Sequence, residues 1–205
     1  MHTAPQLIDV KLDKLHPTQI TVGKMEVAEK RRQWAALAKK SRLAALNSHW
    51  FPTIVGPEYK HYIVDHHHFG LALLEEDVKT VSAMVLKDLS WLDPSKFWTV
   101  MDHHQWVHPY DSQGVRQDFQ AVPYHLTHLH DDPYRSLAGE LRRAGGYAKD
   151  VTPFSEFLWA DFFRIHIQVG QIEQEFGRAL AKAKKLARTQ EARYLPGWCG
   201  VIEPS

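Results

Sequence analysis

Cysteine is nearly absent from this chain: Cys199 is the single one in 205 residues. That excludes an intramolecular disulfide framework, a zinc site built on cysteines and a Cys–Cys redox pair. Long apolar runs are missing too. No stretch approaches the roughly 18 residues that span a bilayer. Met1-His2-Thr3-Ala4-Pro5-Gln6 lacks the basic-then-apolar pattern of a secretory leader. The expectation is a cytoplasmic protein with no membrane partner. Net charge is also nearly absent, since 25 Lys+Arg against 24 Asp+Glu leave +1. A charge-driven DNA binder needs a broad basic face, which that balance argues against. A small local phosphate site needs no such excess.

What is present is apolar and aromatic. Hydrophobic residues make up 44% of the chain, enough for a real core and against general disorder. Histidine is the unusual component, with 14 residues, nine of them clustered at 66–68, 103–108 and 125–130. Histidine titrates near neutral pH and is the commonest metal ligand, so the clustering points toward chemistry.

Ile8, Val10 and Leu12 alternate with Asp9, Lys11 and Asp13, the pattern of a half-buried strand. Residues 24–46, rich in Ala, Lys, Arg and Glu with Val27, Trp34, Leu37 and Leu46 as anchors, predict a surface helix. The β-rich runs 51–55 and 59–64 flank Gly56-Pro57-Glu58, which predicts a hairpin. A short helix is expected from Phe69 to Leu74, then a strand from Thr80 to Leu86 covered on both faces. Beyond Leu89 the reading is helical. Asp93-Pro94, Asp132-Pro133 and Thr152-Pro153 each look like a capping residue followed by a first-turn proline. The last helix is placed at about 172–194. The expected class is α+β, with a domain at 1–90 containing a small mixed sheet and an α-helical region at 91–205 packed on it.

The sharpest local feature is a strand running into Asp65-His66-His67-His68 and then a helix. At a helix start, backbone N–H groups without intrahelical partners and the helix dipole make an anion site. Histidines there can donate to a phosphate or act as general acid and base. Asp65 can cap the helix, orient a histidine or hold a metal; the plainer alternative is a capping Asp beside solvated histidines. A second candidate is His130-Asp131-Asp132-Pro133-Tyr134-Arg135. Asp132 reads as the cap, while Asp131 offers a carboxylate for Mg²⁺ or a base and Arg135 a guanidinium for phosphate. A third is His104 and His108, whose spacing would chelate a metal if both lay on one helix, although no third ligand follows. Asp161 and Arg164 are spaced to pair on a helix.

The segment Tyr62-Ile63-Val64-Asp65-His66-His67-His68-Phe69-Gly70-Leu71-Ala72-Leu73 resembles the central motif of the ParB/sulfiredoxin superfamily. In that superfamily a strand ending in Asp-Gly-His-His-Arg or Gly-Glu-Arg-Arg leads into a short helix. Val10 to Gln19 is similar to the first strand and Pro-x-Gln turn, and Phe51 to Val55 to the strand before the hairpin. Asp131 to Gly139 and Pro153 to Asp161 resemble segments of the bacterial ParB-like nuclease family. The superfamily includes CTP-hydrolysing partition proteins, sulfiredoxins, ADP-dependent serine kinases and nucleases, which hold a nucleotide or phosphate at this turn. The resemblance therefore implies phosphate binding by His66, His67, His68, Gln19 and Arg135, with His67, His68, Asp65 and Asp131 as catalytic candidates. Asp65 and Asp131 are the candidate Mg²⁺ ligands. The expected partner is a nucleotide or nucleic-acid phosphate, and the expected reaction is phosphoester or phosphoanhydride hydrolysis. The alternatives are a non-catalytic nucleotide- or protein-binding module with a vestigial phosphate site, and a small-metabolite phosphotransferase. Three departures stand out. His66 replaces the usual Gly, Phe69 stands where relatives carry Arg, and no Cys occupies the motif, which excludes sulfiredoxin chemistry. No helix-turn-helix of the partition-protein kind is recognisable after residue 90.

Overall fold

Alternation along Gln6–Lys11 forms strand β1, followed by a 3-10 turn at Leu12–Lys14 that buries Leu12. The structure, a computed structural model, describes residues 5–201. Residues 1–4, part of the segment read above for a leader peptide, lie outside it. Strands β2 (Leu15–His16), β4 (Phe51–Val55), β5 (His61–Ile63) and β6 (Thr80–Asp88) join β1 in one sheet of order β1-β6-β4-β5-β2. Two short pieces, β3 (Thr21–Val22) and β7 (His130–Asp131), lie outside that sheet. The sheet is mixed, as expected. β1 runs antiparallel to β6 with Ile8 opposite Ala83, and β4 runs parallel to β6 and antiparallel to β5. The hairpin forms where Gly56-Pro57-Glu58 predicts it. A Cβ on Gly56 would sit 2.6 Å from the Tyr62 ring and 2.7 Å from Phe97, so only glycine fits the turn. In β6 Val81 and Ala83 are buried while Ser82 and Met84 are half-exposed, so one face is covered better than the other.

The expected single helix at 24–46 is two: α1 (Lys24–Ala36) and α2 (Lys39–Ser48). Ala38 is extended between them, and Arg42 donates to the carbonyls of Trp34, Ala35 and Leu37 at 2.8–3.1 Å. A guanidinium that satisfies the last carbonyls of α1 stabilises its end there. Helix α3 (His67–Glu75) buries Leu71, Ala72 and Leu73.

The described residues form two compact units. The first comprises the chain up to Val22 together with 27–111 and 115–130; the second comprises 23–26, 112–114 and the chain from Asp131 onward. The boundary expected near residue 90 does not separate them. The reason lies in α4 (Pro94–His103), whose Phe97 and Met101 form one core cluster with Ile54 and Leu89 and so tie it to the sheet. The expectation of helix throughout the second half also fails between 104 and 131. That stretch holds only isolated bridges, β7 and 3-10 turns at Phe119–Ala121 and Leu126–His128.

The second unit is helical. Its helices are α5 (Pro133–Arg143), α6 (Ser155–His166), α7 (Val169–Gln174) and α8 (Phe176–Leu186). Asp93 and Asp132 cap α4 and α5 as their Asp-Pro pairs predict, accepting from Lys96 N–H and Tyr134 N–H. Thr152 does not cap α6; it donates to Asp150, and α6 starts after Phe154 in the left-handed region. The expected helix 172–194 breaks at Glu175. Tyr134, Leu137, Leu141, Trp159, Phe162, Phe163, Ala179 and Ala183 fill this core, with Tyr147 stacked on Trp159 at 4.3 Å.

Candidate functional site

β5 delivers the chain to Asp65, and the turn is made by His66 at φ 67°, ψ 20°. That is the left-handed region, where glycine rests without cost and other residues do not. It accounts for the glycine that the superfamily motif carries at this point. The Asp65 carboxylate accepts the His66 N–H at 2.6 Å, and α3 then starts without a side-chain cap. The N–H groups of a helix's first turn have no intrahelical acceptor, so they present partial positive charge to an anion.

The three histidines have different surroundings. His66 is half-buried and lines a cleft of about 410 Å³ together with Lys30, Gln33, Trp34, Leu37, Ala45, His49 and Phe69. His67 is buried, and its Nε2 accepts the Thr18 N–H at 3.0 Å. Accepting there places the proton of the neutral ring on Nδ1. Burial lowers its pKa from 6.5 to about 3, opposed by Asp65 and a backbone bond to Ile63. His67 is therefore neutral at physiological pH and positions the turn. It has no free nitrogen lone pair for a ligand. His68 is buried at 7% exposure on the first turn of α3.

Thr18 joins these pieces, and sequence reasoning does not single it out. Besides its N–H bond to His67, its hydroxyl donates to the Ile63 carbonyl at 2.8 Å and its carbonyl accepts the His108 N–H at 2.8 Å. The one signal is its place inside the Pro17-Thr18-Gln19 turn. Gln19 is buried and donates through Nε2 to the Thr21 carbonyl at 2.6 Å. Phe69 stacks on Phe51 at 6.1 Å with the rings 5° from parallel, meets Trp34 edge-on and lies tilted against His49 at 5.6 Å. Phe69 therefore gives this cleft an aromatic wall at the point where the resembled superfamily motif has Arg.

Asp131 and Arg135 belong to the second unit. Asp131 is exposed and accepts the Lys24 N–H at 2.8 Å. Arg135 is buried, with Nη1 3.2 Å from Glu26, Nη2 4.0 Å from Glu156 and its guanidinium 5.4 Å over the Phe157 ring. Glu156 is also held by Arg142 at 2.6 Å. Asp132, 1% exposed, accepts from Arg164 at 2.8 Å. Burial pushes the Asp132 pKa up while Arg164 and the helix-start N–H groups pull it down. Arg164 also pairs with Asp161, as their spacing predicts, and donates to the Ser112 carbonyl at 3.1 Å. His104 and His108 do not share a helix face, because α4 ends at His103 and His108 sits in a bridge to Gln19. Among the described residues no three His, Cys, Asp or Glu side chains converge as a resident metal requires.

Residues 8–165 match the model of a family described as putative ParB-like nuclease. The chain belongs to that family. A second finding agrees: this ParB-like chain superposes on the crystal structure of protein Atu1540 from Agrobacterium tumefaciens with a TM-score of 0.89. The two are 46% identical over 97% of this chain and 100% of that one. No curated protein matches the ParB-like chain.

Proposed function

We propose that this ParB-like protein binds the phosphate of a nucleotide or nucleic acid at the Asp65–His68 turn. The observation that carries the reading is an uncapped helix start beside an open cleft. The first N–H groups of α3 supply the anion site, and His66 and Lys30 line the adjoining 410 Å³. Trp34, His49 and Phe69 give that cleft apolar, aromatic walls suited to the base or sugar of a nucleotide. In this reading Asp65, exposed at the edge of the turn, would be the carboxylate base. Phosphoester or phosphoanhydride hydrolysis is the reaction class. Mg²⁺ is usually held by one or two carboxylates plus the substrate's own phosphates, so a metal would arrive with the nucleotide rather than reside in a protein cage.

One observation favours the rival reading of a binding module without hydrolysis. The imidazole of His67 is neutral and engaged with Thr18, so it is not available to shuttle a proton. Calorimetric titration with inorganic phosphate, nucleoside di- and triphosphates and a short DNA, with and without Mg²⁺, tests binding. Assays of phosphate release and DNA cleavage then separate the two readings. Binding with neither product supports the module; absence of any binding rejects the phosphate-site reading.

A further inference from the structure

A second concavity lies in the first unit and shares no residue with the cleft beside the turn. It encloses about 530 Å³. Tyr62, Trp98, Phe119 and Tyr124 line it, and prolines 17, 57, 94 and 123 stiffen its walls. Phe119 stacks on Trp98 with the rings 11° from parallel, and Tyr62 meets Trp98 edge-on at 5.5 Å. These rings rest on the core of Ile54, Phe97 and Met101 yet remain partly exposed, and Tyr124 is 51% exposed. Aromatic surface gathered in a concave site is costly to leave in water.

The polar groups narrow the ligand. His16 is only 5% exposed, and its Nδ1 lies 2.8 Å from the Tyr124 carbonyl. A carbonyl only accepts, so Nδ1 carries the proton and Nε2 presents a lone pair. Among the described residues nothing donates to that nitrogen. Burial, the largest influence on His16, also lowers its pKa and favours this neutral form. The Tyr62 ring lies 5.3 Å from His16, and its hydroxyl likewise has no hydrogen-bond partner among the described residues. An acceptor and a donor thus line the same aromatic cleft. Lys60 lies on the same rim, 5.1 Å over Tyr124, and pairs at 2.7 Å with Glu58, itself 73% exposed. An exposed ion pair is worth little, so an incoming anion can displace Glu58 at small cost. His128 and His130 are exposed on the rim as well.

We propose that this cleft binds a nucleobase–phosphate unit. The base stacks on the Tyr62, Trp98 and Phe119 walls with a ring-edge N–H donated to His16 Nε2 and a neighbouring acceptor met by the Tyr62 hydroxyl, while the phosphate meets Lys60. Every common base carries a donor next to an acceptor on its pairing edge, so the site selects for a base rather than for one base. The unit comes either as a free nucleotide or as a residue of single-stranded nucleic acid.

Calorimetric titration of the full chain with the four nucleoside monophosphates, ribose 5-phosphate and a short single-stranded oligonucleotide tests this. Nucleoside monophosphates are expected to bind about tenfold or more tightly than ribose 5-phosphate, because stacking is the larger contribution. H16F retains an aromatic ring but loses the acceptor, and Y62F loses only the hydroxyl. Each is expected to weaken this binding event about tenfold; Y62F is expected to unfold at the temperature of the wild type, and H16F, which also loses the bond to the Tyr124 carbonyl, a few degrees lower but still folded at the temperature of the titration. An oligonucleotide bound about tenfold more tightly than the monophosphate identifies nucleic acid as the source; equal affinity identifies the free nucleotide. Ribose 5-phosphate binding as tightly as the nucleotides, or titrations unchanged in folded H16F and Y62F, overturns the proposal. Those variants leave the Asp65–His68 turn untouched, so a phosphate response that persists in them belongs to that site and is judged separately.

Discussion

Acid should destabilise this protein through His67 in a way that one substitution can isolate. In the folded chain the ring is buried, its Nε2 accepts the Thr18 N–H, and its pKa is lowered to about 3. Unfolded, the same ring titrates near the ordinary value of about 6.5. Between those two pH values the unfolded state binds one more proton than the folded state. Stability contributed by the neutral ring is therefore intact above about pH 6.5 and falls as the solution is acidified. The slope is about 1.4 kcal/mol per pH unit, so acidification from pH 6.5 to 5 removes about 2 kcal/mol. Over the whole window the loss approaches 5 kcal/mol, on the order of the total stability of a small domain. H67Q keeps an oxygen that can accept from Thr18 and does not titrate. Denaturant unfolding at pH 7, 6 and 5 is expected to show the variant losing stability more gently than the wild type, by about one proton's slope. His16 and His61 are also lowered by burial, but they act equally in both proteins. Parallel pH–stability curves for the two would refute the assignment of a buried, neutral His67.

Other consequences follow from the same geometry. H66G should leave the protein as stable or stabilise it by about 1 kcal/mol in thermal unfolding, because His66 occupies the left-handed region at φ 67°. R135M should cost about 3 kcal/mol, since Glu26 would keep its charge in a site where it is only 7% exposed, and E26Q/R135M should recover much of that loss. G23A should destabilise by about 2 kcal/mol or more, because a Cβ there would lie 2.7 Å from the Ser136 backbone nitrogen; a melting temperature equal to the wild type would contradict this. Y134F removes a hydroxyl that donates to the Ile167 carbonyl at 2.7 Å in a buried setting, and about 1 kcal/mol should be lost in denaturant unfolding.

The sequence is most legible where backbone requirements are strong. Alternation in 8–12, the Gly56-Pro57-Glu58 turn and the Asp-Pro caps at 93 and 132 all depend on local geometry, and each forms where expected. The Asp65–His68 turn is also local, and the glycine expected at His66 is explained by one positive φ. Reading residues 104–131 as helix gives too little weight to Pro109, Gly114 and Pro123, which punctuate that stretch and mark loop. The roles of side chains at the site are less legible because they depend on partners distant in sequence. Three adjacent histidines look alike until Thr18, 49 residues away, takes the Nε2 of one of them. Arg135 reads as a phosphate ligand until Glu26, 109 residues away, is found against its guanidinium. The stacking of Phe69 on Phe51 likewise shows what holds an aromatic residue at the point where the resembled superfamily motif has Arg. The cleft around His16 draws on five separate stretches of chain, and no single motif announces it.

The central claim is that the start of α3 receives a phosphate. Its most direct test is a titration of isotope-labelled protein with inorganic phosphate and a nucleoside triphosphate, following the backbone amides of His67, His68 and Phe69 by nuclear magnetic resonance. Saturable downfield movement of those amides is the predicted result, since a phosphate oxygen would accept from them. Amides that stay in place at the turn, while the ligand binds elsewhere or nowhere, would contradict it.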